Sequence, residues 1–137
     1  LTAWAVTQTD RFRAGVMIAG VSDWSLMTMT SDVPGFEAAL AGGPPWDGPR
    51  FLRTDERSPV RHARRARTPL LIIHGERDQR VPVGNAIGFE RALRDAAVEV
   101  ELVVYPREGH RFEERAHRTD EYRRVRDWLV ARVRDAT

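Results

Sequence analysis

Two apolar runs, each ending in a short polar loop, limit what this chain can fold into. Leu70-Leu71-Ile72-Ile73 leads without a break into His74-Gly75-Glu76-Arg77-Asp78, and residues 98–105 lead into Pro106-Arg107-Glu108-Gly109-His110. Four successive apolar residues at strand length describe a strand covered on both faces, as a parallel sheet flanked by helices requires. Residues 98–105 alternate at first and then become continuously apolar, a second strand. Between them, residues 82–97 place Ala86, Phe89, Leu93 and Ala97 three or four apart, one face of a crossover helix. The expected unit is strand, helix, strand, with a right-handed parallel connection and an α/β fold. Chemistry in such sheets collects beyond the carboxyl ends of the strands, where Asp78 and His110 both stand.

The rest of the chain fits around that unit. At 137 residues it is one domain's worth of sequence at most. Residues 1–9 read as an apolar helix without a cap, as if the chain began inside an element. Residues 13–20 read as a third buried strand, followed by Val21-Ser22-Asp23-Trp24 at the same sheet edge. Residues 25–68 are irregular, with short helices expected at 36–40 and 49–53 and a further one starting at Pro59 behind a Ser58 cap. Met27, Met29, Phe36, Trp46 and Phe51 in this stretch suit either an apolar pocket wall or core packing. The final helix is expected to start at a Thr119 cap, with Asp120 and Glu121 in its first turn and Arg132 and Arg134 near its end. Its buried stripe is expected at Tyr122, Val125, Leu129 and Val133.

Composition removes several classes. There is no Cys, so disulfides, thiolate metal sites and a cysteine nucleophile are excluded. All 22 basic residues are Arg, yet 20 acidic residues are interspersed and the net charge is only +2, so a segregated nucleic-acid patch is not expected. The densest basic run, His62-Ala63-Arg64-Arg65-Ala66-Arg67, reads as a solvated surface segment. No apolar run reaches the ~18 residues needed to cross a bilayer. His74 reads as a packed strand residue and His62 and His117 as surface positions. No His pair has the spacing of a zinc site, and no metal or cofactor is expected.

An Asp and a His on successive strand tips suit the orienting carboxylate and general base of a hydrolase triad, although the spacing alone is shared by many α/β proteins. The residues around them are more specific. His74-Gly75-Glu76-Arg77-Asp78-Gln79-Arg80-Val81-Pro82, followed by Val104-Tyr105-Pro106-Arg107-Glu108-Gly109-His110, resembles the carboxyl-terminal part of the prolyl oligopeptidase family of serine peptidases. Ser58-Pro59 and the Pro69-to-Gly75 block are most similar to its acylaminoacyl peptidase branch. The resemblance runs through essentially the whole chain and is specific over residues 67–128.

The resemblance implies the carboxyl-terminal half of an α/β-hydrolase fold, with residues 1–137 a partial catalytic domain. It places Asp78 and His110 at the catalytic Asp and His, and Arg80 where the family binds a substrate backbone carbonyl. A planar guanidinium suits that task, with a structural ion pair as the alternative. It puts Val21 and Val81 in the pocket for the residue before the cut, with Trp24 and Met27 added by position only. The nucleophile should precede Asp78 on a Gly-x-Ser-x-Gly elbow. Ser22, Ser25, Ser31 and Ser58 lack those glycines. The Ser is therefore expected upstream of Leu1, the chain alone inactive and its sheet edge unpaired. Expected partners are a short or N-acylated peptide substrate and the amino-terminal part of the same protein, continuous or as a separate chain. A homo-oligomer is left open; neither nucleic acid nor a membrane is expected. The expected location is cytoplasmic. Competing readings are a carboxylesterase or dienelactone-type hydrolase, and a non-catalytic interaction module on this scaffold.

Overall fold

The computed structural model describes residues 1–47 and 55–133. Three strands, β1 (Gly15–Ile18), β2 (Leu70–Gly75) and β3 (Val100–Tyr105), form an all-parallel sheet in that order. The helices are α1 (Thr2–Gln8), α2 (Trp24–Thr30), α3 (Pro34–Ala41), α4 (Gly84–Asp95) and α5 (Arg115–Val133), with 3-10 turns at Pro45–Asp47 and Pro59–Arg65. The strand–helix–strand unit of the sequence reading is β2–α4–β3, with Leu70 to Gly75 in register with Val100 to Tyr105.

Alternation along β2 builds the two faces. Leu70 and Ile72 enter one cluster with Ala3, Val6, Ala63, Ala86, Phe89 and Leu93, which brings α1, the 3-10 helix and α4 onto one side of the sheet. Leu71 and Ile73 enter a second cluster with Tyr105 and Trp128, which seats α5 on the other. Each such fully buried Leu, Ile or Phe contributes about 1.5–3 kcal/mol by leaving water. The result is three layers with β2 central and covered on both faces. β3 has exposed positions at Glu101 and Val104. Among the described residues β1 pairs only with β2. None of the described helices is long and apolar enough to cross a membrane.

Several expectations are corrected. α5 begins at Arg115, so Thr119 lies inside it and its hydroxyl donates to the Arg115 carbonyl instead of capping. Its inward face runs through Val125 and Trp128, while Tyr122 is 68% exposed and Leu129 and Val133 also face outward. Trp128 decides this register, because its indole is the largest apolar group able to reach Leu71 and Ile73. α4 ends at Asp95, and Ala97, with φ of 57°, lies outside it; Val98 closes that core instead. The helix at Pro59 forms as a 3-10 helix, but the Ser58 hydroxyl accepts from the Trp24 N–H and caps nothing in its own helix. Met27 is core, whereas Met29, Phe36 and Trp46 are exposed; Phe51 and the helix expected at 49–53 lie outside the described residues. His62 is half-buried, edge-on to Trp4, and His117 is packed on Tyr105.

Candidate active site

The carboxyl ends of all three strands open into loops on one edge of the sheet, and these loops are fastened to one another. After β1, the N–H groups of Ser22 and Asp23 both donate to the Asn85 side-chain oxygen at 3.0 Å, and the Ser22 hydroxyl donates to the Asn85 carbonyl. Asp23 then caps α2 by accepting from the Leu26 N–H. The end of α2 is tied to the turn after β2, where the Ser31 hydroxyl donates to the Arg80 carbonyl and the Asp32 N–H to that of Gln79. Val21, Trp24, Arg80 and Val81 therefore belong to one fastened set of loops. Val81 is buried, Val21 and Trp24 are half-buried, and Arg80 donates from Nε to Asp32 at 2.7 Å.

The loops after β2 and β3 approach still more closely. The Glu76 N–H donates to the Tyr105 carbonyl and the Arg77 N–H to that of Glu108. Gly75 makes this approach possible, since a Cβ there would lie 2.2 Å from the Gly109 carbonyl oxygen. Gly75 and Gly109 do not take positive φ; the left-handed residue in this region is Arg107, at 66°. Glycine is needed at position 75 for contact between backbones.

That contact brings Asp78 and His110 together. His110 Nδ1 stands 2.9 Å from Asp78 Oδ2, and the Val81 N–H donates to Oδ1 at 2.9 Å. A third group completes the set, and it is the packed strand residue of the sequence reading: His74 Nε2 lies 3.4 Å from Asp78 Oδ2 and 2.7 Å from the Val81 carbonyl oxygen. Burial by itself raises the Asp78 carboxyl. Hydrogen bonds from His74, the Val81 N–H and His110 outweigh it and hold the group below the usual carboxylate range. Asp78 is thus an anion inside the protein, with its side chain fully enclosed, beside a His110 side chain that is 43% exposed. With Nδ1 engaged, Nε2 is the nitrogen left to exchange a proton with an outside group.

A second buried carboxylate shapes the loop that presents His110. Glu108 accepts from the N–H groups of Glu113 and Glu114 and from His117 Nδ1, all within 2.9 Å. Burial raises its carboxyl, and these three donors bring it below its ordinary value. His117 stacks on Tyr105, whose hydroxyl donates to Asp120. Glu108, Glu114 and His117 could in principle surround a metal ion, with donor atoms within 4.8 Å of one another. Glu108 is already committed to two backbone amides and Glu114 to the Arg107 guanidinium, so the trio works as a clamp on the loop. Sequence reading places His74 as a packed strand residue without its tie to Asp78, and misses Glu108 and Asn85, because a lone polar residue in a loop or a first helical turn shows no periodic signal of burial.

None of the four serines considered above serves His110. The Ser22 and Ser31 hydroxyls donate to backbone carbonyls, Ser25 to Asp55, and Ser58 accepts from the Trp24 N–H. The pair of Asp78 and His110 is thus assembled without a bond to any of these four hydroxyls.

Known proteins share this arrangement of elements. The family model for the prolyl oligopeptidase family matches residues 1–135. The uncharacterized peptidase YuxL of Bacillus subtilis is 32% identical over 130 residues, covering 91% of this chain and 19% of its own length. The human acylamino-acid-releasing enzyme is 29% identical over 126 residues, 88% of this chain and 17% of its own. Among solved structures, the acylaminoacyl peptidase of Pyrococcus horikoshii superposes with a TM-score of 0.86 at 28% identity, over 96% of this chain and 22% of that one. The chain therefore spans about a fifth of the length of these relatives. Its parallel sheet and flanking helices are the carboxyl-terminal portion of an α/β-hydrolase fold, and the chain belongs to the prolyl oligopeptidase family of serine peptidases.

Proposed function

We propose that this chain supplies the acid and base of a serine peptidase that releases acylated amino acids or cleaves short peptides. The nucleophilic Ser would come from a segment preceding Leu1 in a longer protein, and the chain alone would be inactive. The observation that carries this reading is the buried Asp78 carboxylate 2.9 Å from His110 at the tips of adjacent parallel strands. Coverage of only about a fifth of the relatives, and the lack of a Gly-x-Ser-x-Gly motif in the sequence, support a nucleophile from elsewhere. The names of the human and Pyrococcus relatives supply the substrate class.

In this mechanism Asp78 holds His110 in the tautomer with hydrogen on Nδ1. His110 Nε2 takes the Ser proton as the hydroxyl oxygen bonds to the substrate carbonyl carbon. It then gives that proton to the leaving amine as the C–N bond breaks, and the acyl group stays on Ser. Water repeats the sequence: Nε2 takes its proton as the water oxygen bonds to the acyl carbon, the bond from that carbon to the Ser oxygen breaks, the acid product leaves, and the proton returns to Ser. Arg80, its plane set by Asp32, would donate to a substrate backbone carbonyl. Val21, Val81 and Trp24 would border the side-chain pocket.

Turnover of an N-acetyl-amino-acid anilide and of the matching ethyl ester by the full-length protein tests this reading. Arg80→Ala is expected to lower kcat/KM on both substrates by roughly tenfold to a hundredfold, the effect of one charged hydrogen bond, because both present the same N-acetyl carbonyl. Ester turnover without anilide turnover would favour a carboxylesterase, and no turnover of either an interaction module.

A further inference from the structure

His74 is fully buried, and its two ring nitrogens have unequal surroundings. Nε2 faces the Val81 carbonyl oxygen at 2.7 Å and Asp78 Oδ2 at 3.4 Å, whereas Nδ1 is buried with no hydrogen-bond partner among the described residues. A carbonyl only accepts, so Nε2 must carry the hydrogen. A second proton on Nδ1 would be a donor enclosed without an acceptor, so the site suits the neutral Nε2–H tautomer. One N–H thus reaches both the Val81 carbonyl and the Asp78 oxygen that His110 uses, while the Val81 N–H holds the other Asp78 oxygen. The four groups form a closed set: His74 holds residue 81, residue 81 holds Oδ1, and Oδ2 lies between the two imidazoles.

We propose that His74 is a positioning residue of the active site, its Nε2–H fixing the Asp78 carboxylate and the turn to Val81 so that Oδ2 stays in line with His110. This inference rests on the reading of Asp78 and His110 as the acid–base pair. His74 would touch neither substrate nor reacting atoms. Without its N–H, the Val81 carbonyl is left buried and unpaired, the turn that carries the Val81 N–H to Oδ1 loosens, and the carboxylate loses one of its three donors. His110 would then sample orientations in which Nε2 does not face the nucleophile.

The test uses the full-length protein with His74→Gln, whose side-chain amide nitrogen can occupy the place of Nε2, and His74→Met, which fills similar volume without a donor. Two readouts are taken: steady-state kinetics on an N-acetyl-amino-acid anilide, and the low-field proton resonance of the His110 Nδ1–H. His74→Met is expected to lose roughly tenfold to a hundredfold in kcat with KM within about twofold, and to lose or displace the resonance. His74→Gln is expected to restore both. Should His74→Met fail to fold, His74→Asn takes its place, since its amide falls short of the Val81 carbonyl. A donor-less variant with wild-type kcat and an unmoved resonance would overturn the proposal, as would His74→Gln behaving no better than the variant without the donor. Absence of peptidase activity in the unmodified protein would count against the functional reading instead, and the resonance would still decide the role of His74.

Discussion

If the proposed acid–base role holds, Asp78→Asn lowers kcat of the full-length protein by about 10⁴ with little change in KM, the scale seen when a triad carboxylate becomes an amide. The reason is directional. Oδ1 accepts from the Val81 N–H, so an Asn at 78 would keep its oxygen there and turn its NH2 toward His110 Nδ1. Facing a donor, Nδ1 would give up its hydrogen and Nε2 would carry it, leaving no base for the nucleophile. The same variant should change acid stability in a predictable sense. The carboxyl of Asp78 is held below its ordinary value in the folded protein. Its stabilising contribution is therefore complete above the unfolded value of about 4 and is lost as pH falls through the lower folded value. Thermal melts between roughly pH 5 and 2 should show wild-type Tm falling more steeply than that of Asp78→Asn. Other depressed carboxyls, such as Glu108 and Asp120, contribute equally to both proteins. Parallel curves, or a kcat within tenfold of wild type, would contradict the assigned role.

Gly75→Ala should also lower kcat, by less, although it alters no reacting group. The added Cβ would meet the carbonyl oxygens of Gly109 at 2.2 Å and Glu108 at 2.6 Å, backbone atoms that cannot swing aside as a flexible side chain would. The loop carrying His110 must retreat, at a cost of about 1–3 kcal/mol for overpacking a close contact. A retreat on the order of 1 Å misplaces His110 enough to lose about a hundredfold in kcat. Gly109→Ala is the matched control: its Cβ would meet nothing within 4 Å among the described residues, and the residue does not take positive φ. It should change Tm and kcat little. Equal losses in the two variants, measured by thermal melting and steady-state kinetics, would mean that loop flexibility matters and the contact at 75 does not.

The parts of the fold legible in the sequence were those with a periodic or uninterrupted apolar signal. β2 could be read because Leu70 to Ile73 must be covered on both sides, and α4 because Ala86, Phe89 and Leu93 repeat at helical spacing. α5 was harder. Its apolar residues admit two stripes about one position apart, and the choice between them depends on where Trp128 finds Leu71 and Ile73 across the sheet. That Asp78 and His110 share one sheet edge was legible because each stands in a loop straight after a strand, and parallel pairing of β2 with β3 brings such loops together. The groups that hold them were not. His74 reads as a strand residue, Glu108 as a charged loop residue and Asn85 as a polar helix residue. Their partners are a carbonyl seven residues on, the N–H groups of Glu113 and Glu114, and those of Ser22 and Asp23. Such bonds depend on how loops fold back in three dimensions, which apolar spacing does not encode.

The most direct test of the central claim, that Asp78 and His110 activate a hydroxyl this chain does not contain, is the rate at which a serine-directed fluorophosphonate labels the full-length protein. Labelling is expected on a single Ser within a Gly-x-Ser-x-Gly segment preceding Leu1, and His110→Ala should slow it by at least about 10³-fold. Labelling of His110→Ala at the wild-type rate, or of a serine within residues 1–137, would contradict it.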